Sequence, residues 1–191
     1  MKILLLILAL SCAAFGQTAL SIDQIKAKSK TAPYKKLKYY GVGYDKFSDT
    51  SNVSFYSVIS GKAGFLLSGS MTTFGAEFRF KGKTFDKNVD EFTLGVIGMS
   101  KFGKGEIAPR LYIVPDEKRF EFGGVSIDSR INTNIITGTQ VTDRADFKIS
   151  RADFETIVNS KSVEIKINDG IFSLKTEQVN GLKSVFVFGT L

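Results

Sequence analysis

The sequence predicts an all-β, mainly antiparallel fold with one or two short helices: a single-domain β-sandwich, or alternatively a closed β-barrel. Three observations predict it. From Lys36 onward apolar and charged residues alternate with a period of two, as where Phe78 and Phe80 stand between Glu77, Arg79 and Lys81. An antiparallel sheet with one wet face requires that alternation. Turn-forming clusters punctuate the runs, among them Ser60-Gly61, Lys81-Gly82-Lys83, Gly123-Gly124 and Asn168-Asp169-Gly170. No repeat, low-complexity tract or linker divides residues 36–191, so one domain suffices. Short, irregularly spaced strands favour the sandwich over the barrel as the way to hide sheet edges.

Residues 1–16 read as a signal peptide. Lys2 supplies the positive charge, Ile3 to Leu10 is an unbroken apolar run, and Ala14-Phe15-Gly16 fits cleavage before Gln17. The run is shorter than the roughly 20 apolar residues a spanning helix needs, so no transmembrane helix is expected. Cys12, the only cysteine, offers an alternative as the acylated first residue of a bacterial lipoprotein, although Leu10 stands one place late for that signal. The expected location is periplasmic or extracellular, with a lipid-anchored envelope lipoprotein as the alternative.

Residues 17–35 read as a basic N-terminal tail or linker. Between Gln17 and Lys46 seven lysines face only Asp23 and Asp45, whereas the rest of the chain is close to neutral. Ser21 with Gln24 three places later can form a capping box for one short helix, which Ala32-Pro33 then ends.

The antiparallel β domain is expected over 36–191. Strands are predicted at 36–44, 52–59, 63–70, 110–114, 125–128, 134–141 and 171–175, besides the clear alternations around Phe78, Phe92, Phe120, Phe147 and Ile165. Two stretches break the pattern. Ser150 can cap a helix whose Phe154, Ile157 and Val158 share a face. Thr176 can cap a second helix bearing Val179, Leu182 and Phe186, although Gly181 weakens it, and "VFVFG" at 185–189 also suits a last strand.

After cleavage at Gln17 the chain would hold no Cys, His or Trp. Stability must then come from a packed core rather than from disulfides. A Ser-His-Asp triad and a Cys-His pair are both excluded. Catalysis is disfavoured; carboxylate chemistry is what remains, and a glycan hydrolase would need two carboxyls about 5 to 10 Å apart. Glu77, Asp90, Glu91, Glu121, Asp128 and Glu164 are the available groups, and most fall on the charged, outward side of an alternation.

Two motif resemblances fail on inspection. "GMSKFGKG" at 98–105 has phosphate-loop spacing, but Gly105 replaces the required Ser or Thr and Pro109 blocks the helix that should follow. "DKNVDE" at 86–91 starts like a calcium loop, but Glu91 replaces the glycine and Ile97 the closing glutamate. No metal and no cofactor are expected.

The strongest functional expectation is a non-enzymatic binding or envelope-associated module. Its candidate contacts are Lys26, Lys28, Lys30, Lys35, Lys36 and Lys38, interleaved with Tyr34, Tyr39, Tyr40 and Tyr44. Lysines grip anions and tyrosines offer flat amphipathic faces. The partners this implies are an anionic envelope polymer or a membrane surface, or a protein. Nucleic acid is disfavoured, because no recognised module accompanies the basic footprint. A small apolar ligand inside a barrel is a further alternative.

Overall fold

The computed structural model describes residues 19–37, 40–59, 72–85, 88–100, 110–124, 126–134, 138–167 and 170–190. Among the described residues the fold is mostly β, with antiparallel sheets and three α-helices. In chain order the elements are β1 (Leu20–Ser21), α1 (Ile22–Ser29), a 3-10 turn (Tyr34–Lys36), β2 (Tyr40–Asp45), β3 (Thr50–Ile59), β4 (Thr72–Lys81) and β5 (Thr84–Phe85). There follow β6 (Glu91–Ser100), β7 (Arg110–Pro115), β8 (Phe120–Gly123), β9 (Ser126–Asn134) and β10 (Gly138–Ser150). The last are α2 (Arg151–Val158), β11 (Val163–Ile167), β12 (Gly170–Ser173) and α3 (Thr176–Gly189).

A six-stranded sheet runs β2-β3-β4-β6-β10-β9 and a four-stranded sheet runs β12-β11-β7-β8, while β1 and β5 form a separate pair. Neither larger sheet closes on itself among the described residues, so the barrel alternative is not what forms. The alternation sets the register. Phe55, Ala76 and Leu94 lie side by side on neighbouring strands, and Leu94 in turn faces Phe147. Their side chains share the inner face with Phe78 and Phe92, all nearly inaccessible to solvent. Leu111, Ile113, Val163, Ile165 and Phe172 of the second sheet join the same apolar cluster.

Phe92 is the pivot of that cluster. Its ring centroid lies 4.8 Å from Phe154 of α2, 5.8 Å from Phe78 and 5.9 Å from Phe186 of α3. Ser150 caps α2 as its sequence suggests, accepting from the Asp153 amide at 3.1 Å.

The C-terminal stretch takes the helical of its two readings and corrects the cap. "VFVFG" is helical through Gly189, and the residue at the N-cap is Lys175 rather than Thr176. Gln178 fixes the start: its Oε1 accepts from the Lys175 amide at 2.8 Å and its Nε2 donates to the Val58 carbonyl at 2.8 Å. Val185, Phe186 and Phe188 favour strands in isolation, but burial on nearly every side of α3 overrides that preference. Gly181, the residue that counted against a helix, is where the buried Phe55 ring lies against the helix backbone.

Boundaries elsewhere shift for local reasons. The strand expected over 36–44 begins at Tyr40, because Tyr34 to Lys36 turn as a 3-10 helix. The strand expected over 134–141 is instead the end of β9 and the start of β10, paired from Gly138 opposite Asn134. The strand expected at 63–70 lies outside the described residues, as do the signal region with Cys12, Lys38 and Tyr39, residues 101–105 of the glycine-rich stretch, and Asp86 with Lys87.

The segment read as a tail is folded wherever it is described. Ser21 and Gln24 form the reciprocal cap, with contacts of 2.8 and 3.2 Å. Leu20 pairs with Phe85, the Ile22 amide donates to the Lys83 carbonyl at 2.7 Å, and Ile22 and Ile25 are buried in the common core.

Candidate functional site

The helical spacing that buries Ile22 and Ile25 leaves Lys26 and Lys28 exposed on α1. Lys30 is exposed at its C-cap, and Lys35 and Lys36 are exposed on the 3-10 turn. Among the described residues, none of these five lysines meets a carboxylate at ion-pair distance. Their charge is therefore available to an external anion.

Aromatic contacts hold this surface in place. The Tyr34 ring centroid lies 4.9 Å from Phe188 of α3, and the Lys28 Nζ lies 5.9 Å from the same ring, within the range of a cation–π contact. A groove of about 550 Å³ opens between the 3-10 turn and α3. Pro33, Tyr34, Leu37 and Val187 line it with apolar surface, and Lys36 and Lys183 stand at its rim. Glu177 also borders the groove, in the first turn of α3 where a negative charge complements the helix dipole. Lys183 is steadied by donating to Asn159 Oδ1 at 2.9 Å.

Two further sequence candidates, Tyr40 and Tyr44, lie on β2, the strand against which α1 packs. Tyr44 donates to Asp49 Oδ1 at 2.9 Å, and its ring lies 4.9 Å from Lys83 Nζ. That hydrogen bond, with burial and the nearby Asp49 and Asp45 charges, raises the Tyr44 hydroxyl above its ordinary value. Asp45 accepts from the Phe47 amide and the Ser48 hydroxyl, which lower its carboxyl. Tyr44 therefore stands near the end of β2 and is tied by its hydroxyl to the turn that leads into β3. Tyr40 opens β2, where it pairs with Phe55.

A second cluster was not expected from the sequence. Glu77 lies on the side of β4 opposite the core and should be solvated, yet it is only 4% exposed. Its Oε1 meets Arg79 at 2.8 Å and Arg144 at 3.0 Å, and its Oε2 accepts from the Tyr56 hydroxyl at 2.9 Å. Arg144 also donates to Asp146 Oδ1 at 2.8 Å and to the Tyr56 oxygen at 3.1 Å. Burial, and after it the Glu77 charge, holds the Tyr56 hydroxyl well above the usual tyrosine range. Burial alone would lower the Arg144 guanidinium, but the Tyr56 oxygen, the Asp146 hydrogen bond and the Glu77 carboxylate outweigh it and raise it.

Two glycines make this cluster possible. Tyr56 pairs with Gly75, which pairs with Gly95, which pairs with Asp146. A Cβ at Gly95 would stand 2.5 Å from the Tyr56 oxygen, and one at Gly75 would collide with the Tyr56 ring and the Phe55 carbonyl. The missing side chains leave a trough across which the Tyr56 ring lies, walling off Glu77 from water. The sequence signal is a glycine inside each of two strand runs, "TFGAEF" and "TLGVIG", which marks close approach.

A shallow cleft of about 400 Å³ adjoins the cluster, with Glu77, Arg79, Asp146 and the 2.7 Å Lys148–Glu91 ion pair on its walls. Both oxygens of Glu77 are engaged by protein groups, so its chemistry here is to hold strands together. The stretch containing Asp90 is likewise structural: the Val89 amide donates to the Gly189 carbonyl and the Asp90 carbonyl accepts from the Arg151 amide. Among the described residues no three Asp or Glu side chains gather as metal ligands, and no helix is long and apolar enough to cross a membrane.

Comparison with protein-family models, curated proteins and solved structures finds no match for this chain.

Proposed function

We propose that this chain is an exported, non-catalytic binding module that attaches to anionic envelope material through its lysine-rich N-terminal segment. The observation that carries the reading is the set of exposed lysines on α1 and the 3-10 turn, none engaged by a described carboxylate, beside an apolar groove. Each lysine held near an anionic surface contributes about 1 kcal/mol, so three acting together strengthen attachment roughly a hundredfold. The apolar cluster that joins the six- and four-stranded sheets supports a β-sandwich arrangement, with α2 and α3 completing its core. Export rests on Lys2, the apolar run from Ile3 and the small residues before Gln17. The intact mass of the exported protein separates release at Gln17 from acylation of Cys12.

The test replaces Lys26, Lys28, Lys30, Lys35, Lys36 and Lys38 by glutamine and measures retention on isolated envelope fractions, with circular dichroism to confirm the fold. The reading expects loss of retention in a folded variant. Unchanged, salt-independent retention would overturn it.

A further inference from the structure

We infer that the groove between the 3-10 turn and α3 is the seat of a single-chain anionic amphiphile, its alkyl chain in the groove and its headgroup held by lysines. This inference rests on the proposed anion-contact role of the N-terminal segment and names the ligand class for it.

The groove combines two features that suit such a ligand. Its volume of about 550 Å³ falls within the 300 to 1,000 Å³ typical of small-molecule sites. Its floor is apolar, from Pro33, Tyr34, Leu37 and Val187, in a part of the surface otherwise dominated by lysine. Tyr34 and Val187 are each half-buried, and the Tyr34–Phe188 contact makes one wall rigid before any ligand arrives.

The rim supplies the charge complement. Lys36 and Lys183 stand on opposite walls, one on the turn and one on the helix, against the single carboxylate of Glu177. Lys35 adds a further exposed cation beside Lys36. An uncharged apolar ligand would leave these ammonium groups unused, and a purely ionic polymer would leave the apolar floor in water. An anionic headgroup on an alkyl chain satisfies both.

The experiment is calorimetric titration of the purified protein with methyl, octyl and decyl phosphate, each below its micelle concentration. Burying a methylene strengthens binding about fourfold, so decyl phosphate should bind roughly ten- to fifteenfold more tightly than octyl phosphate. Methyl phosphate should bind far more weakly than either. Val187→Gln should flatten the chain-length dependence. Asn180→Glu, at an exposed groove position, should weaken both long-chain ligands without threatening the fold. Lys36→Gln with Lys183→Gln should weaken every phosphate.

Equal affinity for methyl and decyl phosphate would overturn the inference, as would full chain-length dependence in Val187→Gln together with undiminished long-chain affinity in Asn180→Glu. If the lysine variants lose envelope retention while no alkyl phosphate binds the native protein, the groove assignment falls and the charge contact stands. If alkyl phosphates bind as expected but envelope retention ignores the lysines, the attachment role falls instead.

Discussion

Replacing Glu77 by glutamine should destabilise the protein by about 2–3 kcal/mol, well beyond the effect of an ordinary surface charge. Breaking a buried ion pair costs roughly 3–5 kcal/mol, because the remaining charge loses its partner away from water. Here the loss is smaller, since the Arg144 side chain keeps 26% exposure and still holds Asp146 at 2.8 Å. For a domain of this size each kcal/mol lowers Tm by about 2–4 °C, so the drop should be roughly 5–10 °C. Arg79 is the internal control. Its side chain is 59% exposed, so Arg79→Gln should cost under about 1 kcal/mol despite the shorter contact of 2.8 Å. Urea unfolding followed by circular dichroism measures both, and a double-mutant cycle with Arg144→Gln reports the coupling across the glycine trough. A Glu77→Gln loss no larger than that of Arg79→Gln would refute the claim that the cluster holds the sheet.

Three further outcomes follow from the same packing. Gly181→Ala should destabilise by about 1–3 kcal/mol although alanine is the better helix former, because the added methyl falls on the buried Phe55 ring; a stabilised variant in thermal unfolding would contradict it. Ile25→Ala should cost about 2–5 kcal/mol if the basic segment is part of the core, and a near-neutral value in urea unfolding would return it to the status of a tail. The raised Tyr56 hydroxyl gives a signed pH effect. Unfolded Tyr56 ionises around the ordinary tyrosine value of 10.0 while the folded side chain keeps its proton. Its stabilising contribution is therefore complete below that pH and is lost as pH rises beyond it, by up to about 1.4 kcal/mol per unit. Tyr56→Phe should remove that part of the alkaline slope in urea unfolding, and an unchanged slope would count against burial of the hydroxyl.

The strands were legible because period-two alternation is a local property. Phe78, Phe92, Phe147 and Ile165 announce their faces without reference to any partner, and Ser21 and Ser150 announce their caps within three residues. What the sequence hid depends on distant pairs. Residues 185–189 read as helix or strand until the Phe55 ring against Gly181 and the Gln178 link to Val58 are known. Glu77 reads as solvated because alternation reports direction only; its burial comes from Tyr56, 21 residues upstream, lying across glycines on two other strands. The lysine segment was legible as a charge excess. The groove beside it was not, because Tyr34 and Val187 are far apart in the chain and meet only through α3.

The most direct measurement of the attachment role is co-sedimentation with vesicles containing phosphatidylglycerol, set against pure phosphatidylcholine vesicles, at low and high salt. Binding through the exposed lysines predicts retention on the anionic vesicles alone, lost as salt rises and reduced roughly a hundredfold or more in the six-lysine variant. Equal retention on both vesicle types, or retention that neither salt nor the lysine substitutions alter, would contradict it.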